Sequence, residues 1–191
     1  MNINDFIVYA KAPLRIGLAG GGTDLDTYCN LHIGNVLTST ISMYVTCVIE
    51  NREDNKIFFN LSDSNQSFFY NSKKFLKFDG KGDIFKAVYN RMIKDYIKKP
   101  LSFSLFISSD VETGSGLGGS STLVVAMISA FVEMHNLPLT SYEIAKLAYE
   151  IEREELNIIG GAQDQYASAF GGFNFIEFFA KKKSAGKSTK N

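Results

Sequence analysis

Three clusters in this chain combine residue types and spacings that chemistry can use. The first is Glu112-Thr113-Gly114-Ser115-Gly116-Leu117-Gly118-Gly119-Ser120-Ser121-Thr122, which runs directly into the apolar stretch Leu123 to Phe131. Its glycines free the backbone to curl, and hydroxyls follow where a helix would expose its first unpaired N–H groups. Such a loop suits a phosphate, with hydroxyls left to meet Mg²⁺; a glycine-rich turn without a ligand is the plainer alternative. The second cluster is Lys11 to Asp24, where Arg15 interrupts an apolar strand that ends in Gly20-Gly21-Gly22-Thr23-Asp24. An unpaired charge in such a strand is costly, so Arg15 should meet a carboxylate or a phosphate, and a structural pair with Asp24 is the alternative. The third is Glu150 to Glu155 followed by Gly160-Gly161-Ala162-Gln163-Asp164-Gln165-Tyr166. On a helix Glu152 shares a face with Ala145, Ala148 and Tyr149 and points inward, whereas the other acids read as a solvated face. Asp164 stands at a helix start just after a glycine turn, which keeps a carboxylate ionised, for chemistry or as a simple cap.

Gly114 to Gly119 satisfies the dinucleotide pattern G-x-G-x-x-G, the one feature that favours a nicotinamide-dependent oxidoreductase. That reading needs the motif after the first strand of a parallel βαβ unit, with an acid closing the next strand. Here the motif follows an antiparallel-looking region and precedes a helix ending at His135 and Asn136. A Walker loop needs Lys after its last glycine, and Gly119 is followed by Ser120. Gly186-Lys187-Ser188-Thr189 copies the end of one, but no strand or helix flanks it. What remains is a loop that holds a polyphosphate by backbone N–H groups and a helix N-terminus.

The elements that must carry these clusters follow from periodicity. Phe6 to Ala10 and Leu14 to Leu18 alternate as two short strands around Pro13. After the glycines, Thr23 or Asp24 can cap a short helix reaching about His32. Asn35 to Ile41, Tyr44 to Asn51, Lys56 to Asn60 and Gln66 to Tyr70 read as an antiparallel meander. From Asp83 to Tyr96 the spacing is helical, with a lysine pair before Pro100. Leu101 to Ser108 is a strand feeding the glycine loop, and Ser120 to His135 is a buried helix whose Ala126, Ser129 and Ala130 allow close packing. Thr140 and Glu143 form a capping box that opens a helix through about Glu155. Gln163 to Phe170 reads as a short helix and Phe173 to Phe178 as a strand.

Twenty basic and twenty acidic residues cancel, but Lys181, Lys182, Lys183, Lys187 and Lys190 fall in a tail without acids. The remainder is acidic, which argues against nucleic acid or an anionic membrane as partner. Cys29 and Cys47 are too few for a disulfide framework or a zinc site, and no apolar run approaches the ~18 residues of a membrane span. The start, Met1-Asn2-Ile3-Asn4-Asp5-Phe6, has neither a basic n-region nor a long apolar h-region. A soluble cytoplasmic protein is expected.

Together, in this order, Lys11 to Asp24, Gly114 to Ser121 and Gly160 to Phe178 resemble the GHMP kinase superfamily, named for galacto-, homoserine, mevalonate and phosphomevalonate kinases. The first and last segments look closest to its D-glycero-D-manno-heptose 7-phosphate kinases. The resemblance extends from about Phe6 to Phe178. It implies an α+β fold of the ribosomal protein S5 domain 2-like kind, with a mixed or antiparallel sheet and helices packed on one side. It implies a sugar-phosphate kinase using ATP and Mg²⁺, with a small sugar phosphate as its partner. By the same resemblance Gly114, Ser115, Gly116, Leu117, Gly118, Gly119, Ser120 and Ser121 would hold the triphosphate. Ser120 and Glu152 match the Mg²⁺ ligands, with Ser121 a neighbouring candidate. Asp164 matches the catalytic aspartate that orients or deprotonates the attacking hydroxyl, and Arg15 the basic residue that lowers the energy of that hydroxyl and of the phosphoryl group. Asp24, with Gly21, Gly22 and Thr23 beside it, matches the part that grips sugar hydroxyls.

Two departures matter. Glu112-Thr113 replaces a frequent proline, and the usual GLGSS becomes Gly116-Leu117-Gly118-Gly119-Ser120-Ser121, which leaves the hydroxyl register open by one residue. Family members are also nearly twice as long, with a third glycine-rich motif and a C-terminal ferredoxin-like domain. The expectation is therefore an N-terminal ATP-binding domain over residues 1–179, a lysine-rich disordered tail over 180–191, and no C-terminal domain. A chain truncated in this way should turn over poorly, or be a non-catalytic remnant that binds nucleotide.

Overall fold

A computed structural model describes residues 7–62, 66–112 and 114–180. The Phe6 end of the first strand, Thr113, the tail beyond Ala180 and its Walker-like tetrapeptide lie outside the described residues. The order is β1 (Ile7–Ala19), α1 (Asp26–Cys29), β2 (Gly34–Asn51), β3 (Lys56–Leu61), β4 (Gln66–Asn71), α2 (Asp83–Met92), β5 (Phe103–Ser109), α3 (Gly119–His135), α4 (Ser141–Tyr149), α5 (Gln163–Phe170) and β6 (Phe173–Phe178). Two π-helical turns, Ile93–Ile97 and Glu150–Glu155, extend α2 and α4.

The fold is α+β on a mixed sheet, as expected. Among the described residues its six strands run β1-β2-β5-β3-β4, with β6 added to β2, and every pair is antiparallel except β3 with β5. Period-two alternation sets its inner face. Val8, Ala10, Ala12 and Leu14 of β1, Val45, Cys47 and Ile49 of β2, and Phe103, Leu105 and Ile107 of β5 are buried. α3 lies against β1 and β2. Apolar nearly all round, it buries Val124 to Ile128, Ala130 and Phe131, as a helix enclosed by neighbours must.

The structure corrects three local expectations. β1 is one strand, because Pro13, which lacks an N–H, sits where the register with β2 shifts between Pro13 and Arg15. β2 is likewise one 18-residue strand, and the meander is broken because β5 inserts between β2 and β3. Neither Thr23 nor Asp24 caps α1, a four-residue helix whose N-cap is Leu25. The Thr23 hydroxyl instead donates to the carbonyls of Gly20 and Asn35 and accepts from the Asn35 N–H. The capping box at Thr140 and Glu143 forms as expected.

Lys86 of α2 is fully buried at 0% exposure, with Nζ 2.5 Å from Asp79 Oδ1, 3.0 Å from Asp83 Oδ1 and 5.0 Å from the Tyr70 ring centroid. The Lys86 ammonium and the Lys81 N–H hold the Asp79 carboxyl below its usual range. For Asp83, burial acts upward but is outweighed by Lys86 and the N–H groups of Asp79 and Gly80. For Lys86 itself, burial acts downward and is outweighed by Asp79 and Asp83. Depressed carboxylates contribute stability above their unfolded pKa of about 4 and lose it as pH falls through the folded value. A raised lysine contributes below about 10.4 and loses it as pH rises further. Lys86→Met is therefore destabilising between these limits, and urea unfolding along a pH series should find its gap from the unaltered chain narrowing below about pH 4.

Candidate active site

The glycine loop closes between β5 and α3. Gly114, Gly116 and Gly118 have φ of 89°, 76° and 79°, the left-handed region that costs glycine little. Gly118 is the N-cap of α3 and offers no side-chain cap, so the N–H groups at the start of the helix point out of the protein with the positive end of its dipole. Ser120 is exposed on this first turn, while Ser121 is buried and turned inward.

Arg15 fastens β1 to this loop. Its backbone N–H donates to the Leu117 carbonyl at 3.2 Å and its Nη1 to the Gly116 carbonyl at 3.1 Å. Its Nε and Nη2 lie 2.6 and 2.5 Å from Asp164 Oδ1. The carboxylate that Arg15 requires is thus Asp164, not Asp24. Asp164 does not cap α5, whose N-cap is Ala162 without a side-chain cap. Its Oδ2 has no protein donor among the described residues and faces Gly118, where an added Cβ would sit 3.3 Å away.

Asp24, 4% exposed, anchors the start of α5 from outside the helix. Oδ2 accepts from the Gln163 N–H at 2.9 Å, and Oδ1 from Gln163 Nε2 and the Gly22 N–H, each at 3.2 Å. Gly21 and Gly22 next to it border open space, since a Cβ on either would meet nothing within 4 Å. Asp24 also borders a cavity of about 770 Å³ walled by Tyr142, Tyr149, Tyr166 and Phe178.

Glu152 is buried at 0% exposure on the π turn after α4, inward as its spacing predicts. Its Oε1 lies 3.4 Å from Ser120 Oγ and 3.7 Å from Arg153 Nη1, and its Oε2 accepts from Gln165 Nε2 at 2.5 Å. Gln165 also donates to Ser121 Oγ at 3.0 Å, so Ser121 serves the interior while Ser120 faces outward. Gln165 Oε1 is buried with no hydrogen-bond partner, an oxygen that a hydrated cation beside Ser120 and Glu152 would suit. Arg153 joins the group by donating to the Gly161 carbonyl at 3.1 Å.

The structure therefore brings Arg15, Gly114 to Ser121, Glu152 and Asp164 into one site, with Gly21 to Asp24 at its border through Gln163. Sequence reasoning missed Gln163, Gln165 and Arg153, because a buried amide and a tertiary cap leave no periodic signal. Their only flag was adjacency to Asp164 and Glu152. Neither cysteine offers a nucleophile. Burial pushes the Cys47 thiol up, and burial with the charges of Asp24 and Asp26 does the same to Cys29. Replacing Gln165 with leucine leaves the buried Glu152 carboxylate without its short donor. It should cost about 1.5–3 kcal/mol in urea unfolding.

Comparison with known proteins gives this geometry its relatives. Residues 83–172 match the GHMP kinases N terminal domain. The chain is 62% identical over 176 residues to D-glycero-alpha-D-manno-heptose 7-phosphate kinase of Campylobacter jejuni, covering 92% of this chain and 52% of that protein. It superposes on the crystal structure of a D-glycero-D-manno-heptose 1-phosphate kinase from Bacteroides thetaiotaomicron with a TM-score of 0.87 at 47% identity, over 91% of this chain and 56% of that one. A mevalonate kinase structure matches with a TM-score of 0.74 at 25% identity, over 92% of this chain and 55% of that one. The chain spans about half the length of the curated relatives it matches. Among the described residues no helix is long and apolar enough to cross a membrane. With the glycine loop, Arg15 and Asp164 assembled as described, these matches identify a GHMP kinase N-terminal domain over residues 83–172.

Proposed function

We propose that this chain is the ATP-side half of a sugar kinase that transfers the γ-phosphoryl group of ATP to the anomeric hydroxyl of D-glycero-D-manno-heptose 7-phosphate. The observation that carries this reading is the Arg15–Asp164 pair hydrogen-bonded to the glycine loop itself through the Gly116 carbonyl. Phosphoryl transfer asks for positioning and charge neutralisation more than covalent chemistry. The N–H groups at the start of α3 and the loop Gly114 to Ser121 bind the triphosphate. Arg15 sets Asp164 and adds positive charge near the transferring group. Asp164 Oδ2, which has no protein donor among the described residues, accepts the hydroxyl proton or orients that hydroxyl.

Ser120 Oγ and Glu152 Oε1 supply one hydroxyl and one carboxylate oxygen, the kind of set that holds Mg²⁺ when phosphates and water complete its shell. Bound there, Mg²⁺ would neutralise charge on the phosphate oxygens. Gly21, Gly22, Thr23 and Asp24 border the sugar side. The free, buried thiols of Cys29 and Cys47 suit a cytoplasmic setting. The choice of heptose follows the Campylobacter jejuni relative, a D-glycero-alpha-D-manno-heptose 7-phosphate kinase.

Calorimetric titration with ATP and Mg²⁺, paired with an ADP-release assay, tests the reading. Mg²⁺-dependent ATP binding and ADP release stimulated by heptose 7-phosphate are expected. Because the chain spans half the relatives' length, binding without turnover would mark a nucleotide-binding domain that is not catalytic alone. Absence of ATP binding would overturn both readings.

A further inference from the structure

The π turn that carries Glu152 is held from outside by one arginine. Arg91, in the last turn of α2, reaches three carboxylates at once. Its Nε lies 2.5 Å from Asp95 Oδ2, its Nη1 donates to Glu155 Oε1 at 2.7 Å, and its Nη2 pairs with Glu150 Oε2. Asp95 lies on the π turn after α2, and Glu150 and Glu155 are the first and last residues of the π turn after α4. Glu150 and Glu155, expected on a solvated face, instead converge with Asp95 on a half-buried guanidinium.

The geometry of helices explains what that grip selects. In an α-helix each residue advances about 100°, so residues five apart point about 140° away from each other. A single guanidinium fork cannot collect both. In a π turn, i→i+5 hydrogen bonds bring the residue five positions on back towards the first. The Leu156 N–H donates to the Ile151 carbonyl at 3.1 Å in that register, and the Ile158 N–H reaches back to the carbonyl of Glu152 itself at 2.9 Å. Glu150 and Glu155 can share Arg91 only while this wider turn persists. Without Arg91, three carboxylates would face one another and repel.

We infer that Arg91 is a positioning residue that holds the Glu150–Glu155 segment in its π register and thereby aims Glu152 at Ser120. Its partners are Asp95, Glu150 and Glu155, none of them in the glycine loop or the Arg15–Asp164 pair. The consequence for metal binding rests on the reading of Ser120 and Glu152 proposed above, whereas the clamp on the turn does not.

The test uses Arg91→Met, which keeps the stem and removes the fork. Arg91→Lys restores charge without the fork, and Glu155→Gln, a milder change, removes one arm. Hydrogen exchange followed by mass spectrometry should show faster exchange over 150–158 in Arg91→Met than in the unaltered chain, with the β5 strand unchanged. Lysine should rescue it only in part, and Glu155→Gln should give a smaller change of the same kind. Protection over 150–158 equal to that of the unaltered chain would overturn the clamp. In calorimetry, Arg91→Met should weaken ATP binding about 10- to 100-fold in Mg²⁺, as when the support behind a metal ligand is lost, and leave metal-free binding in EDTA unchanged. Equal losses with and without Mg²⁺ would refute the aiming of Glu152. If ATP binding by the unaltered chain ignores Mg²⁺, the metal reading of Ser120 and Glu152 fails, and the exchange measurement still decides the clamp.

Discussion

Asp164→Asn should reduce heptose 7-phosphate-stimulated ADP release by about 10²- to 10⁴-fold, the usual worth of a positioned acid–base group, while ATP affinity changes little. The expectation follows from how the two oxygens of Asp164 are divided. Oδ1 takes both the Nε and the Nη2 of Arg15, at 2.6 and 2.5 Å, which leaves Oδ2 for the acceptor hydroxyl of the proposed reaction. An asparagine has the same shape but no charge, and its one carbonyl oxygen cannot serve Arg15 and the hydroxyl together. The loop should survive, because Arg15 still holds Gly116 and Leu117 through bonds that do not involve the carboxylate. Steady-state kinetics and calorimetry on the same preparation separate the effects. Turnover within a few-fold of the unaltered chain would remove Asp164 from the reaction.

The second large effect is on stability. Gly161→Ala places a Cβ 1.9 Å from Asp24 Oδ2 and 2.3 Å from Asp24 Cγ, closer than any real contact. Asp24 cannot simply swing aside, since it is nearly buried and holds the Gln163 and Gly22 N–H groups. Moving it leaves the start of α5 without its tertiary cap. Overpacking of about 1–3 kcal/mol and loss of hydrogen bonds to a charged group, about 1.5–3 kcal/mol, both apply. A loss of at least about 2 kcal/mol in urea unfolding is expected. Gly21→Ala, whose Cβ meets nothing within 4 Å, is the control and should stay within about 0.5 kcal/mol. Equal behaviour of the two variants would mean that the contact between Gly161 and Asp24 does not matter.

The site and the clamp share a design. Gln165 holds Glu152 from within, and Arg91 holds the turn on which it sits from without. Asp24 fixes the helix start that presents Asp164. None of these supports touches a reacting atom in the proposed chemistry, yet each sets the direction of one that does.

How far the sequence reached can be traced element by element. Local chemistry was legible. The Thr140–Glu143 capping box, the inward face of Glu152, the alternation from Ile7 to Leu14 and the glycine loop ahead of α3 all depend on residues a few positions apart, and each formed as its spacing predicts, whereas Ile16 and Leu18 are exposed and the alternation expected there did not form. An isolated charge in an apolar strand announced that Arg15 needed an anion. What only the tertiary structure decided was which partner each group takes. Turn signals cannot say that β5 slides between β2 and β3, because pairing across a sheet is chosen by how apolar faces close over one core. Nor can they say that Arg15 pairs with Asp164, 149 residues away, while Asp24 caps α5, 139 residues away. The π register after α4 is likewise invisible to a 3.6-residue period, since it depends on an arginine on another helix. Sequence determined the groups that could do chemistry. Only the packing of α3 and α5 against the sheet, and of α2 against the π turn after α4, decided which of them meet, because a buried charge takes the partner that the fold delivers.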